Sequence, residues 1–212
     1  MYSDLFSSRY LIAAVLMVVL ALTLGLQEQT TAAPIPTHLL KPPFIHPTAV
    51  GTKWVYDDGN GSNEITLLLT KVEKTNATQI ITIEKVNENG KTSPYEKLLL
   101  TKGEWSKIER EGDKFDPAWC LLKFPHTEEH KWEFVTYRGK DPNKFKGTVV
   151  QEAKTELRKV PAGEFDAVKV VSTMPILFES EILTNWTHWY ASGVGLVQAD
   201  NMVLKSFKRG KE

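Results

Sequence analysis

The sequence predicts a mainly β protein: an antiparallel sheet or barrel of about ten to twelve strands behind an N-terminal hydrophobic signal helix. Three observations carry this. From Gly51 onward the hydrophobic period is two rather than 3.6, turn-forming clusters recur at hairpin spacing, and nothing beyond residue 32 sustains a helical stripe.

The chain starts with a short polar stretch holding Arg9 and Asp4, then residues 11–26 run without a single charge. A polar stretch leads to Ala32 and Ala33. This order is that of a secretory signal, so residues 1–32 are expected to be a signal peptide cleaved after Ala32. The alternative is an uncleaved N-terminal anchor formed by residues 11–26, in which case that segment is the chain's membrane contact. No cysteine follows the apolar run, which excludes a bacterial lipoprotein anchor on it. Residues 33–50 hold five prolines and read as an extended Pro-rich leader without regular structure. Residues 51–212 are expected to form a single antiparallel β domain.

Within that domain Trp54 and Tyr56 share a face, as do Ile65, Leu67 and Leu69, then Ile81 and Ile83. Over residues 147–160, Val149, Ala153 and Leu157 alternate with Glu152, Lys154, Glu156 and Arg158, predicting a long strand with one wet face. Turns are expected at Asp58-Gly59-Asn60-Gly61, Asn87-Glu88-Asn89-Gly90, Lys102-Gly103 and Glu111-Gly112-Asp113. Val160-Pro161-Ala162-Gly163 suits a type I turn with glycine where φ turns positive. Residues 113–133 resist the pattern, and Pro117 and Pro125 there argue for loops with a short helix or strand. Lys53-Trp54-Val55-Tyr56 is echoed by Lys131-Trp132-Glu133-Phe134, a faint sign of two meander-like halves, with chance as the competing account.

Composition narrows function. Lys and Arg number 26 against 26 Asp and Glu, so the net charge is zero and a nucleic-acid partner is not expected. One cysteine permits neither an internal disulfide nor a zinc site built on CxxC pairs. His126-Thr127-Glu128-Glu129-His130 spells an inverted zincin pattern, but Pro125 before it and an alternating strand after it read better as a charged turn. The 58–63 loop lacks the glycine and the final glutamate of a calcium loop. His188, Ser192 and Asp200 lack a nucleophile elbow, and Cys120 reads as a small buried group. No metal, cofactor or catalytic set is expected, and the domain reads as non-enzymatic. Asn60, Asn76 and Asn185 head glycosylation sequons, relevant only where the host glycosylates exported proteins. Six tryptophans lie in the domain, either as core or as the lining of an apolar site. Trp54, Tyr56, Trp132 and Phe134 are the candidate ligand-lining residues, because each pair projects together from one strand.

Val160-Pro161-Ala162-Gly163-Glu164-Phe165-Asp166-Ala167 and the later Trp189-Tyr190-Ala191-Ser192-Gly193-Val194-Gly195-Leu196-Val197 resemble a bacterial exported family of unknown function. That family carries V-P-A-G-x-[FY]-x-A and W-Y-A-P-G-V-G-L-V, and is distantly similar to the LolA/LolB lipoprotein-localisation fold. The resemblance covers about two thirds of the domain, and Ser192 stands where the family has proline. It implies a half-open barrel, an exported location in the periplasm or outside the cell, and structural roles for Pro161, Gly163, Trp189, Tyr190, Gly193 and Gly195. The expected function is a cell-envelope or secreted binding module for an apolar small molecule, a lipid, or a lipidated envelope protein. The alternatives are a structural or interaction domain without a cavity and, behind it, a hydrolase.

Overall fold

A computed structural model of the chain describes residues 44–57, 63–141, 144–178, 180–200 and 202–211, with the side chains of 176–182 left out. The predicted signal segment, the first part of the leader and the Asn60 loop lie outside the described residues.

Alternation of apolar and polar residues produces twelve antiparallel strands in one up-and-down circuit. The first half comprises β1 (Lys53–Asp57), β2 (Glu64–Lys74), β3 (Gln79–Val86), β4 (Thr92–Leu100), β5 (Glu104–Arg110) and β6 (Asp113–Lys123). The second comprises β7 (His130–Arg138), β8 (Lys144–Val160), β9 (Gly163–Phe178), β10 (Ser180–Ala191), β11 (Gly195–Ala199) and β12 (Met202–Lys208). Each strand pairs with its sequence neighbours, and β1 pairs with β12 from Lys53↔Lys208 to Asp57↔Val203, which closes the barrel. The echoed Lys-Trp-x-aromatic segments are β1 and β7, the first strands of the two halves.

Interior positions fall where the period of two placed them. Leu69 and Ile81 are fully buried, and Trp54, Tyr56, Leu67 and Ile83 nearly so. Turns follow their chemistry too. Glu111 and Gly112 both take positive φ (53° and 89°), the geometry of a two-residue hairpin turn, and Gly90 (φ 74°) closes the Asn87 turn. Gly163 adopts φ 139°, in the region a side chain disfavours.

The circuit is thin at two seams. Among the described residues β6 pairs with β7 only through Phe115↔Arg138 and Asp116↔Tyr137. Likewise β11 pairs with β12 only through Gln198↔Val203 and Ala199↔Met202. Buried backbone groups freed at a seam need other partners, and side chains supply them. At the first seam the fully buried Gln151 of β8 reaches past β7: its Nε2 donates to the Lys123 carbonyl and its Oε1 accepts from the Lys123 N–H, both at 2.9 Å. At the second, the Trp54 indole N–H donates to the Val194 carbonyl and the Tyr56 hydroxyl to the Leu196 carbonyl, both at 2.8 Å.

One open sequence reading is resolved and another needs correction. Residues 113–133 contain β6 and the start of β7, with no helix among them; Pro117 fits because it falls where β6 is leaving register with β5 and parting from β7. The single-faced reading of β8 holds at Val149 (1% exposed) and fails at Leu157 (54% exposed). The β8–β9 register shifts between Gln151 and Thr155, and the hairpin beyond lies against β10 and β12.

That placement brings residues 160–165 and Trp189 together. The hairpin tip reaches β12, where the Ala162 N–H donates to the Leu204 carbonyl at 3.1 Å. The Arg158 guanidinium stacks on the Trp189 ring at 4.2 Å, and the Trp189 indole N–H donates to the Glu156 carboxylate. Pro161 sits in the turn, and Val160, Ala162 and Phe165 pack against the core.

Candidate functional site: an interior cavity

Alternate hairpin turns lie at opposite ends of a meander barrel. One end is crossed by residues 44–52, which lack regular structure up to residue 48 but are firmly packed. The Phe44 ring lies 5.3 Å from that of Trp105 and 4.9 Å from His126, and His46 meets Trp105 edge-on at 5.0 Å. The Gly193 N–H donates to the Ile45 carbonyl at 2.7 Å, and the Ile45 N–H to Ser192 Oγ at 3.1 Å. Gly193 (φ 75°) and Gly195 (φ 90°) shape this end, and a Cβ on Gly195 would stand 3.0 Å from His46 Nε2. Gly195 therefore makes room for the His46 ring.

Behind this strap lies a cavity of about 330 Å³ that runs toward the other end, where the exposed Lys85 and Glu111 form part of its rim. Its walls come from β1–β6 and β9–β12; β7 and β8 give no lining residue among those described. That half is filled instead. The Phe134 ring stacks on Trp119 at 5.3 Å, and it lies where a Cβ on Gly147 would be, 2.9 Å away. Trp119 thus separates the filled half from the open one.

Trp54 and Tyr56 line the cavity, while Trp132 and Phe134 lie outside it in the filled half. Tyr190 lines it as well; Trp189 does not, being engaged with the β8–β9 hairpin. The lining is mostly apolar, with Ile65, Leu67, Ile83, Leu98, Trp105 and Leu196 among its members.

Its polar groups fall on two walls. On β4 and β5, the Glu96 carboxylate lies 3.2 Å from Lys107 Nζ and 3.6 Å from Arg110 Nη1. Two bulges put them there. Lys107 and Arg110, three apart, would face opposite ways on a regular strand; Lys97↔Glu109 followed by Leu98↔Lys107 skips Ile108 and turns both inward. On β4, Ile83↔Glu96 followed by Glu84↔Pro94 skips Tyr95, whose ring carries the Arg110 guanidinium at 3.9 Å. Burial alone would push the Glu96 carboxyl up, but Lys107 and Arg110 outweigh it and hold it below its ordinary range.

On β9 and β10 stand Ser172, His188 and Tyr190, with the His188 ring stacked over Tyr190 at 6.2 Å. Burial lowers His188 to about 4, helped by Lys107 and opposed by Asp200 and Glu96, so the ring is neutral at pH 7. Burial raises the Tyr190 hydroxyl far above its usual range and pushes the Cys120 thiol up to about 12, so neither ionises at neutral pH.

The remaining motifs are accounted for by local structure. The 126–130 stretch is a turn entering β7, with a His130 ring nitrogen 2.9 Å from the Pro125 carbonyl. Ser192 and Asp200 flank β11 at its opposite ends, and Asp200 Oδ1 accepts from the Thr187 N–H. Asn76 and Asn185 are exposed. The sequence missed Glu96, Lys107, Arg110 and His46. The first three look like ordinary alternating surface charge until the bulges are known, and His46 lies in a stretch read as unstructured.

No protein-family model matches the chain, and no curated protein matches it. Among solved structures, the fold is similar to that of a candidate lipoprotein from Parabacteroides distasonis ATCC 8503. The TM-score is 0.51 at 20% identity, over 80% of this chain and 100% of that one. A candidate exported protein with a YmcC-like fold from Bacteroides fragilis NCTC 9343 aligns with a TM-score of 0.47 at 17% identity, over 79% of this chain and 100% of that one. The first likeness establishes a shared barrel fold.

Proposed function

We propose that the chain is an exported, non-enzymatic binding module of the bacterial cell envelope that holds one compact, largely apolar ligand inside the barrel. The observation that carries the reading is the cavity. A twelve-stranded barrel could fill its interior with side chains, and the β7–β8 half does so; the other half keeps about 330 Å³ open behind a wall of aromatic and aliphatic groups. That volume sits at the small end of the ~300–1,000 Å³ found for small-molecule sites, which favours a compact ligand over a bulky two-chain lipid. A domain without a cavity, the main alternative, has no use for this space.

Export is supported by the charge-free run at residues 11–26 with small residues after it, and by the fold shared with a candidate bacterial lipoprotein. The chain's one cysteine, Cys120, lies in β6, so a lipid anchor on a cysteine after the apolar run has no residue to use.

The test is titration of the purified chain with N-phenyl-1-naphthylamine, a neutral apolar probe that brightens out of water. Saturable one-to-one binding is expected, and it should be lost in Ala199→Trp, which fills the cavity near its rim, at unchanged circular dichroism. Absence of binding to the unaltered chain would overturn the reading.

A further inference from the structure

We infer that the strap end of the barrel is a membrane-facing surface, a patch of cations beside exposed apolar strap residues that seats on an anionic lipid bilayer. This goes beyond the binding-module reading and draws on none of the cavity's residues.

The cations come from the two chain segments that close the barrel. Lys53 opens β1 and Lys208 ends β12, and the β1–β12 register sets these two exposed residues directly opposite each other. Like charges placed opposite on an antiparallel pair destabilise it, so the closing seam carries a local cost that a negative surface would relieve. Three residues back along β12, Lys205 is paired with Glu64. Lys53, Lys208 and Lys211 take part in no ion pair among the described residues. Past β12 the chain continues as Arg209-Gly210-Lys211, with both cations exposed. Residues 208–212 thus bring three cations against one carboxylate side chain, that of Glu212.

The strap supplies the apolar part: Val50 is 51% exposed and Ile45 45%. The cationic tail is held against Val50 by a residue without a side chain. A Cβ on Gly210 would lie 2.2 Å from the Val50 carbonyl oxygen, and the Gly210 N–H donates to Thr52 Oγ1 at 3.0 Å. Arg209 and Lys211 therefore flank a fixed point on the strap instead of trailing into solvent. Ile45 is held in the same way, by Ser192 and Gly193 of the β10–β11 turn. Aliphatic groups exposed beside fixed cations suit a bilayer interface, where the first enter the headgroup boundary and the second are drawn to anionic lipid. The direction of the chain agrees. Residues 27–43 join the charge-free run 11–26 to Phe44, so the chain enters the barrel at this same end, and a retained run would tether the barrel by it.

The test is co-sedimentation with lipid vesicles of the chain from Ala33, which keeps every described contact of the barrel and leaves the apolar run out of the reading. Vesicles of phosphatidylcholine alone are compared with an equal mixture of phosphatidylcholine and phosphatidylglycerol, at low and at high salt. Binding to the anionic vesicles should be tenfold or more tighter than to the neutral ones and should weaken with salt. The triple variant Lys208→Gln, Arg209→Gln, Lys211→Gln should weaken it tenfold or more, at roughly fivefold for each charge removed, with unchanged circular dichroism. Ile45→Ser with Val50→Ser should weaken it too, with every cation kept. Lys144→Gln with Lys146→Gln, at exposed positions of β8 by the opposite end, should leave it unchanged. Equal binding to both kinds of vesicle, binding to neither, or the same loss in the Lys144 and Lys146 variant as in the tail variant would overturn the inference. Unchanged binding in the Ile45 and Val50 variant would overturn the seating of the strap in the bilayer. Each of these results leaves the binding module standing, because no ligand of the cavity enters the measurement.

Discussion

Lowering the pH from 7 to 5 should weaken the barrel before its carboxylates titrate, because His46 and His188 are kept neutral inside it. Burial takes each from 6.5 to about 4; for His46 the Pro47 carbonyl and Glu96 oppose it and lose. The unfolded chain therefore binds two protons between pH 6.5 and 4 that the folded chain refuses, and unfolding free energy falls as pH falls through that window. Across all of it the cost is (6.5 − 4) × 1.36, about 3 kcal/mol per histidine, and down to pH 5 it is (6.5 − 5) × 1.36, about 2 kcal/mol. Both rings line the cavity, where water can reach them, so these are upper bounds; two such losses are still a large part of the ~5–15 kcal/mol that holds a domain folded. Glu96 does not confuse the reading, since its lowered value places its own loss at still more acidic pH. Urea denaturation followed by tryptophan fluorescence at pH 7, 6 and 5 measures the slope, which should fall by about half in His46→Gln and in His188→Gln. Stability that stays flat from pH 7 to 5, or a slope kept in the double variant, would refute neutral burial of the two rings.

Three further substitutions probe the frame. Gly163→Ala places a Cβ at φ 139° against the Phe165 ring and should cost about 1 kcal/mol or more, read as a lower thermal midpoint. Gln151→Leu keeps the volume but strands the Lys123 N–H and carbonyl, and should cost at least about 2 kcal/mol in a urea titration. Trp54→Ala, from a residue 2% exposed, should cost about 3–5 kcal/mol and also weaken probe binding, whereas Trp132→Ala, outside the cavity, should lower stability with little change in the affinity of the folded fraction.

The fold was legible because its signals are local. Alternation in β1, β2 and β3, and glycines at 90, 112 and 163 with positive φ, each follow from a few adjacent residues. What stayed hidden depends on register. A bulge changes which side chains face inward without changing composition, so nothing in Lys107-Ile108-Glu109-Arg110 announces that the first and last point into a cavity. The same holds at Leu157, where the shift after Gln151 undoes a correct local pattern. The strap escaped for a different reason: proline removes a segment from regular structure without removing it from the core, and Pro47 and Ala49 are buried.

The barrel is filled beside β7 and β8 and open between β1–β6 and β9–β12. β1 and β7 each carry Lys-Trp-x-aromatic, and each has a thin seam nearby whose backbone groups are taken up by inward side chains. Beside β7 and β8, Phe134 lies on Gly147, a residue with no side chain to hold it off, and stacks flat on Trp119 while Gln151 fills the space beside the seam. Beside β1, Trp54 and Tyr56 are pulled to the carbonyls of Val194 and Leu196, which fixes both rings against the wall. The room left in front of them adjoins the ion-pair cluster in which Glu96 meets Lys107 and Arg110, and Arg110 meets Glu111.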